Sequence, residues 1–435
     1  MILARRHFLK TAAAGAVGAV AAATGCAWPR KKRPNIIFLT ADTTRFDRMG
    51  FNGYSRNPTT PFLDSIAAEG VNFTRCYSQA TCTFPSVASF MSSKHPHTLG
   101  FDGNLGKQDH VADDTLMLAE ILRALGYTTV GASSVLWLGP RNGLDKGFIH
   151  FSFKAENDTC QRDGRNTLAD AQRLLAQVSR DQDLFLWFHS FDPHVPYNRE
   201  NCFGPAPPDA APDAAANGVL LAEVPPGFAA HSDNAVLLGG EPGFGNAEHV
   251  ALLNQLYDAQ LAYMDRVFEE LLEHLRTEGF YEPDRDLLVL NADHGELMGE
   301  HGFCSVHGRL WDEVTHVPLM MRGAGLPKGA QVGALAANID ILPTILDLAA
   351  PDEAEMFAQS HRFEGTSLLP AIVGRKPVRS RAITDMPYNI AICAFNGRYK
   401  LIARRACKSV GVEEHEAPYG HSLSGPVYYE DSRGR

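Results

Sequence analysis

The stretch Asn35-Ile36-Ile37-Phe38-Leu39-Thr40-Ala41-Asp42 is a short, nearly continuous apolar run that ends in a carboxylate. Such a run predicts a central β-strand that is covered on both faces. Three later runs have the same character, and we predict strands there as well, over Tyr127–Ala132, Leu184–Phe188 and Leu287–Asn291.

A long helical segment lies between the last two of these strands. Apolar residues recur every three or four positions from Leu253 to Leu275, which predicts an amphipathic helix. Strands that alternate with helical segments are typical of α/β proteins. We therefore expect a doubly wound, mostly parallel sheet with helices on both faces.

Length and composition limit the class of protein. The chain has 435 residues, 45% of them apolar and 21% charged, which excludes a disordered, collagen-like or coiled-coil protein. The formal net charge is −10, and no run of Lys and Arg follows the first 35 residues, so we expect no nucleic-acid partner. Length alone allows either about three small domains or one large α/β domain with an appendage.

The first 33 residues have the features of an export signal. Arg5 and Arg6 precede Phe-Leu-Lys, and a weakly apolar Ala/Gly segment follows from Thr11 to Gly25, which is too short to span a membrane. We predict a twin-arginine signal and the export machinery as a partner, rather than a helix docked on the domain. Cys26 follows a loose lipobox, so the protein is either periplasmic or anchored at the cell surface by a lipid on Cys26.

We divide the mature chain into two parts. Residues 34–350 form the expected catalytic domain, interrupted by a Pro-, Ala- and Gly-rich surface insertion over residues 204–245. Residues 351–435 form a smaller C-terminal α+β subdomain, in which Arg398–Ile402 is the predicted strand.

Acidic residues follow three of the predicted strands: Asp42, Asp192 and Asp293. Ligands of open α/β sheets bind at the carboxyl ends of the strands, so these side chains are candidates for convergence on one site. Histidines close by, His194 and His294, favour a site that binds a hard or borderline divalent cation. The alternative is that each aspartate only caps the helix that follows it.

The segment Thr81–Ser89 contains a second candidate feature. Pro85 suits the first turn of a helix, so the hydroxyl of Thr83 is expected at a helix start, where backbone N–H groups stabilise an anion. A threonine bound to a divalent cation at this point is a candidate nucleophile. The alternative role is a simple N-cap.

Together, the motifs resemble the sulfatase family of the alkaline phosphatase superfamily. Their order and spacing carry the resemblance, which extends from about residue 34 to residue 402. The matching segments are Pro34–Arg45, Thr59–Asp64, Thr83 with its neighbours, Asp192–Tyr197, Tyr257-Asp258, Asp265-Arg266, Ala292–Glu296, Gly299–Gly302, Val317-Pro318, Asp340–Thr344 and Gly397–Lys400.

The resemblance implies the site residues. One divalent cation, whether Ca, Mg, Mn or Zn, is expected on the side chains of Asp42, Thr43, Thr83, Asp293 and His294. Thr43 stands where many sulfatases have a second aspartate. His194 is expected to contact the transferred sulfate or phosphate group, and His301 or His307 to complete the pocket.

One departure from the family pattern bears on the chemistry. Sulfatases have Cys or Ser two residues before the proline, which is converted to formylglycine, and Arg two residues after it. Here these positions hold Thr83 and Val87. Threonine cannot give the aldehyde because its β-carbon carries a methyl group, and a sulfated threonine lacks the exit that a geminal diol provides. A phosphorylated threonine can be hydrolysed by attack of water on phosphorus.

We therefore expect an exported, metal-dependent hydrolase that cleaves sulfate or phosphate esters, with Thr83 as nucleophile and Thr83, His194 and His307 as catalytic residues. The substrate class is a small molecule, a glycan ester or a lipid-headgroup ester. The alternatives are a phosphodiesterase or phosphotransferase of the same superfamily, and a catalytically silent homologue that binds such a ligand.

Overall fold

A computed structural model gives the fold and describes residues 33–101, 110–153, 162–195, 197, 247–386, 391–396, 398–404 and 428–431. Nearly all of the predicted export signal, with Cys26, and the predicted insertion 204–245 lie outside the described residues. Within the described ranges, every helix is too short or too polar to cross a lipid bilayer.

The strands are numbered in chain order. They are β1 (Ile36–Ala41), β2 (Val71–Phe73), β3 (Cys76–Tyr77), β4 (Thr128–Ser133), β5 (His150–Ser152), β6 (Leu184–Ser190), β7 (Leu287–Ala292), β8 (Leu297–Met298), β9 (Cys304–Val306), β10 (His316–Val317), β11 (Leu319–Arg322), β12 (Ala330–Val332), β13 (Ala336–Ala337), β14 (Ala382–Asp385), β15 (Ala391–Phe395), β16 (Tyr399–Arg404) and β17 (Tyr428–Asp431).

The α-helices are numbered in the same way. They are α1 (Pro61–Ala68), α2 (Thr83–Ser92), α3 (Leu118–Ala124), α4 (Gly164–Leu175), α5 (Ala247–Thr277), α6 (Asp312–Thr315), α7 (Ile341–Ala349), α8 (Pro351–His361) and α9 (Leu369–Gly374).

A mostly parallel sheet forms the centre of the protein. Across the described residues its order is β12-β2-β11-β7-β1-β6-β4-β5. β1 is parallel to both of its neighbours, β6 and β7, whereas β11 runs antiparallel to β7. The four predicted strands are confirmed as β1, β4, β6 and β7, with ends shifted by one or two residues, and each is buried along its whole length.

Helices cover both faces of the sheet, as predicted. Because successive strand residues point to opposite faces, Ile36 and Phe38 pack in one core with α2, α3 and α7, while Ile37 and Leu39 pack in another with α1, α4 and α5. The predicted amphipathic helix is confirmed as α5, which has 31 residues and buries an apolar stripe against the second core.

The C-terminal part contributes to both a core and a separate sheet. Ala354 of α8 and Ala371 of α9 pack in the same core as α2 and α3. Strands β14, β15, β16 and β17 then form an antiparallel sheet, in which β16 begins one residue after the predicted strand Arg398–Ile402 and extends two residues beyond it. The division of the chain at residue 350 stays a prediction.

Candidate active site

Asp42 and Asp293 lie side by side at the carboxyl end of the central sheet. Strands β1 and β7 are parallel neighbours, and their last residues, Ala41 and Ala292, stand opposite each other. The next residue of each strand therefore emerges at the same edge of the sheet. Both carboxyl side chains are fully buried.

Asp192 does not join them. Its Oδ1 accepts a hydrogen bond of 2.8 Å from the backbone N–H of Gly164, the first residue of α4, and its Oδ2 accepts one from the Ser190 hydroxyl. The expected convergence therefore holds for two of the three strand-end carboxylates. Asp192 instead binds the N-terminus of α4, a helix that precedes it in the chain and not the following helix of the capping alternative. Its carboxylate satisfies backbone groups at the start of a helix.

A group of three side chains, the carboxylate–imidazole cluster, is formed by Asp42, Asp293 and His294. One ligand atom from each lies within 4.8 Å of the others, and all three residues are buried. Among the described residues, Asp42 Oδ1 and Asp293 Oδ2 have no hydrogen-bond partner. Buried oxygens without partners are costly, and a divalent cation bound between them would satisfy both. The cluster therefore fits the cation that the sequence predicts.

Burial has the largest effect on the pKa of both carboxyl groups. Burial raises the pKa of Asp42 to about 8. The pKa of Asp293 is raised well above its usual value, first by burial and then by the neighbouring Asp42. Two carboxylates this close ionise together only where a cation supplies the opposite charge.

Thr43 follows Asp42 in an unusual backbone conformation, with φ of 47°. Its backbone N–H donates a hydrogen bond of 3.0 Å to Asp293 Oδ1, and its Oγ1 is buried without a partner among the described residues. The turn that Thr43 makes thus ties the end of β1 to the carboxylate of β7.

Thr83 is the first residue of α2, at the helix start predicted from Pro85. Its hydroxyl donates a hydrogen bond of 3.2 Å to Asp42 Oδ2, and Oγ1 lies 3.4 Å from His294 Nε2. Thr83 therefore borders the carboxylate–imidazole cluster. Val87, one turn further along the helix, is fully buried in the apolar core.

The ring of His294 is oriented by its own neighbour. Nδ1 lies 3.0 Å from the carbonyl oxygen of Gly295, which can only accept a hydrogen bond, so Nδ1 carries the hydrogen. The Nε2 lone pair then points toward Thr83 and Asp293. A neutral imidazole in this tautomer is the form that binds a metal, and burial, the largest of its effects, lowers the pKa of His294 well below its usual value.

His194 and His307 also lie at the site. The His194 ring stacks on Phe191 at a centroid distance of 4.1 Å and stands edge-on to His307 at 5.2 Å. The centroid of His307 is 4.6 Å from that of His294. His301 faces elsewhere, because its ring stacks on Trp311 at 4.1 Å. Of the two alternatives for completing the pocket, the geometry favours His307.

Glu296 holds His307. The fully buried carboxylate places Oε1 3.3 Å from His307 Nδ1. Burial by itself would lower the pKa of His307, but the hydrogen bond and charge of Glu296 outweigh it and raise that pKa. The Nδ1 of His194 instead lies 2.5 Å from the carbonyl oxygen of Val195, and burial lowers the pKa of His194 to about 3. The two imidazoles therefore differ in protonation: the surroundings favour the protonated form of His307 and the neutral form of His194.

The sequence-based prediction missed His189. It lies on β6, fully buried, with Nε2 3.2 Å from Asp42 Oδ2, and burial lowers its pKa to about 4. The available signal was a histidine directly after the apolar run Leu184–Phe188, three residues before Asp192. Glu296 belongs to the matching segment Ala292–Glu296, but the sequence alone assigns it no role.

Several other motif residues hold the loop after β1. The Tyr257 hydroxyl donates to the backbone oxygen of Thr43 at 2.8 Å and accepts from the backbone N–H of Arg45 at 3.0 Å. Asp258 pairs with Arg48 at 3.0 Å. Asp265 accepts hydrogen bonds from two backbone N–H groups at the start of α1. These residues position the site without facing it.

Comparison with known proteins identifies a family whose members resemble this chain. The family model described as Sulfatase matches residues 34–351. The chain is 26% identical over 431 residues to the ulvan-active sulfatase of Formosa agariphila, across 92% of this chain and 75% of that protein. It is 23% identical over 418 residues to the N-acetylglucosamine-6-O-sulfatase of Bacteroides thetaiotaomicron, across 80% of this chain and 73% of that one.

Solved structures share the fold. One, bound to its substrate D-glucosamine-2-N,6-O-disulfate, superposes with a TM-score of 0.65 at 20% identity and covers 92% of each chain. The phosphonate monoester hydrolase of Agrobacterium radiobacter gives a TM-score of 0.60 at 18% identity, covering 86% of this chain and 87% of that one.

Proposed function

The chain belongs to the sulfatase family and is a sulfatase-like hydrolase; from this premise we propose that it is an exported, metal-dependent enzyme cleaving sulfate or phosphate esters with Thr83 as nucleophile. The observation that carries the proposal is the position of the Thr83 hydroxyl, 3.2 Å from Asp42 Oδ2 and 3.4 Å from His294 Nε2. A buried hydroxyl between a proton acceptor and a candidate cation site is placed for attack on an ester.

One group of residues in the site would bind the cation. Asp42, Asp293 and His294 would hold the cation, with the hydroxyls of Thr43 and Thr83 beside them. When bound, a divalent cation supplies electrostatic stabilisation of the negative charge that develops on the transferred group. Buried surroundings strengthen this effect because they exclude water from the reacting atoms.

The chain's own groups move the protons. Thr83 Oγ1 forms a bond to phosphorus or sulfur while its proton passes to Asp42 Oδ2, the oxygen it already contacts. The bond to the leaving oxygen breaks, and that oxygen takes a proton from His307, which Glu296 orients. His194 contacts the transferred group. Water then attacks phosphorus and the bond between phosphorus and Thr83 Oγ1 breaks. Asp42 returns its proton to Oγ1 and the proton of the attacking water passes to His307, so that phosphate is released and both groups are restored.

Threonine chemistry favours phosphorus over sulfur. An enzyme with an unmodified threonine can release phosphate by attack of water, whereas sulfate release from formylglycine depends on a geminal diol that threonine cannot form. The fold shared with a phosphonate monoester hydrolase is consistent with this preference. The sugar-directed names of the relatives support an ester carried on a glycan, while small molecules and lipid headgroups are the other substrate classes.

A panel of aryl esters tests the proposal. Purified wild-type protein, Thr83→Ala and Thr83→Ser are assayed on an aryl sulfate, an aryl phosphate monoester, a diester and a phosphonate. We expect wild-type turnover of a phosphorus ester, and a loss of about 1000-fold or more in kcat for Thr83→Ala with metal content unchanged. Thr83→Ser keeps a hydroxyl and retains turnover.

Two results would contradict this reading. Full activity of Thr83→Ala would remove Thr83 as the nucleophile, and turnover of sulfate without any phosphorus ester would overturn the chemical preference. A phosphodiesterase or phosphotransferase of the same superfamily would turn over only the diester.

A catalytically silent, ligand-binding homologue is favoured by the buried Val87, which stands where sulfatases have an arginine. It would bind metal and hydrolyse nothing.

Export is part of the proposal and is supported by the sequence of residues 1–33. Replacing Arg5 and Arg6 by lysine should retain the protein in the cytoplasm on cell fractionation, and Cys26→Ala should move a membrane-anchored form to the soluble periplasmic fraction. Export of the double-lysine variant at the wild-type level would contradict a twin-arginine route.

A further inference from the structure

The carboxylate–imidazole cluster offers single donor atoms rather than paired ones. Asp42 Oδ1 and Asp293 Oδ2 are the carboxylate oxygens without hydrogen-bond partners among the described residues. The third donor is His294 Nε2, which lies 3.4 Å from Asp293 Oδ2. The cluster thus presents two oxygens and one nitrogen.

The second oxygen of each carboxylate is already engaged. Asp42 Oδ2 accepts hydrogen bonds from His189 Nε2 and from the Thr83 hydroxyl, each at 3.2 Å. Asp293 Oδ1 accepts from the backbone N–H groups of Thr43 at 3.0 Å and His294 at 2.7 Å. Either carboxylate would have to give up these bonds to bind a cation through both oxygens.

We propose that this donor set selects zinc over calcium and magnesium, and that His189 enforces the selection by holding the second oxygen of Asp42. The inference rests on the proposed metal-dependent function and names the cation of that site. Zinc is commonly bound at catalytic sites by three nitrogen or oxygen donors with one position left open. Here Thr83 borders the three donors, with its Oγ1 3.4 Å from His294 Nε2.

Calcium is poorly matched to the same donors. It takes six to eight oxygen ligands and often binds carboxylates through both oxygens, and magnesium requires a near-octahedral set of oxygens. Even if the hydroxyls of Thr43 and Thr83 are added, each described side chain of the site supplies one donor, and one donor is an imidazole nitrogen. Imidazole favours zinc and other late first-row metals over calcium and magnesium.

Direct binding measurements test the preference. Full-length mature protein is stripped with a chelator and titrated calorimetrically with Zn²⁺, Mn²⁺, Mg²⁺ and Ca²⁺, and the metal content of untreated protein is measured. We expect one zinc per chain and a dissociation constant for Zn²⁺ at least about 100-fold below that for Ca²⁺. Equal or tighter binding of Ca²⁺ would overturn the inference.

Variants of His189 test whether this residue contributes to the preference for zinc. His189→Leu removes the donor to Asp42 Oδ2, so we expect the ratio of Zn²⁺ to Ca²⁺ affinity to fall by about 10-fold or more, as for other residues that orient a metal ligand. His189→Gln keeps an N–H donor and should retain most of the preference. His97→Gln is the matched control, because His97 also pairs with a carboxylate, Asp385, at 2.8 Å. An unchanged ratio in His189→Leu would overturn the role of His189.

The outcomes separate this inference from the proposed function. Tight zinc binding without ester hydrolysis would support the donor-set inference and overturn the hydrolase mechanism. Calcium-dependent hydrolysis would support the hydrolase mechanism and overturn the donor-set inference. A protein that binds none of the four cations would overturn both.

Discussion

Thr43 shows how a residue of the site is held by one that does not face it. A β-branched residue with φ of 47° is in a sparsely populated conformation that costs free energy unless its surroundings hold it. The fully buried Tyr257 hydroxyl bridges the Thr43 carbonyl and the Arg45 N–H. It therefore stabilises the turn that brings the Thr43 amide to Asp293.

Tyr257→Phe should lower the free energy of unfolding by about 1–3 kcal/mol, because it leaves a buried carbonyl and a buried N–H without their partner. Urea denaturation measures the change. Tyr281→Phe is the control: Tyr281 is also buried, but its hydroxyl has no partner among the described residues, so its loss should cost little. Equal effects of the two variants would show that the Tyr257 bridge contributes nothing.

At the level of elements, the carboxylate of Asp170 links helix α4 to the edge strand β5. Asp170 of α4 accepts hydrogen bonds from Arg162, from Arg173 at 2.9 Å and from the Ser152 hydroxyl of β5. Burial opposes ionisation, but these three donors outweigh it and lower the pKa of Asp170 to about 2. The helix that Asp192 caps is thus also fixed along its side.

This pKa gives the pH dependence a definite sign. The folded pKa is below the ordinary value of 3.8, so ionised Asp170 stabilises the folded protein above about pH 4, and the contribution is lost as the pH falls toward 2. Asp170→Asn should therefore lower stability at neutral pH by about 1 kcal/mol, after allowance for solvent screening, and by less near pH 2.

Urea denaturation of wild type and Asp170→Asn between pH 2 and pH 7 measures the difference. Asp181→Asn, which removes an exposed carboxylate, serves as the control. A gap between wild type and Asp170→Asn that widens toward low pH would contradict the assignment.

For the whole molecule, the C-terminal sheet supports the segment that leads to Thr83. The backbone N–H of Asp385 in β14 donates to the Gln79 carbonyl at 2.8 Å, and the Thr384 hydroxyl donates to the Ser78 carbonyl at 2.5 Å. Lys400 of β16 is buried and reaches α6, donating to Asp312 at 2.7 Å and to Thr315 at 2.8 Å. The sheet therefore contacts both the segment that leads to Thr83 and the helix that follows the His307 loop.

Lys400→Met should weaken this docking while keeping the length of the side chain. We expect a loss of about 2 kcal/mol in unfolding free energy, typical of a lost hydrogen bond to a charged group, and a several-fold fall in kcat/KM as the His307 loop loses support. Lys328→Met removes a surface lysine that pairs with Glu69 and Asp284, and should leave the denaturation midpoint unchanged. If Lys400→Met matched this control, the sheet would have to dock through other contacts.

Much of the fold was readable from the sequence because its signals are local. Continuous apolar runs marked the four central strands, and a period of three to four residues marked α5, since burial on both faces or on one stripe leaves a pattern in the chain itself. Asp42 and Asp293 were found in the same way, as polar residues placed directly after such runs.

Only the tertiary structure decided which groups meet. His189 and Asp192 both lie in or just after β6, yet one contacts Asp42 and the other caps α4, because the choice depends on where α4 starts relative to the sheet. The same holds for His301 and His307, which are six residues apart and face different surroundings. The sequence by itself determined the strands, the long helix and the kinds of ligand available, because these follow from local patterns of burial. Contacts between residues some 40 to 250 positions apart, such as Thr83 with Asp42 and Thr43 with Asp293, were set by the register of the parallel strands and the packing of helices on them.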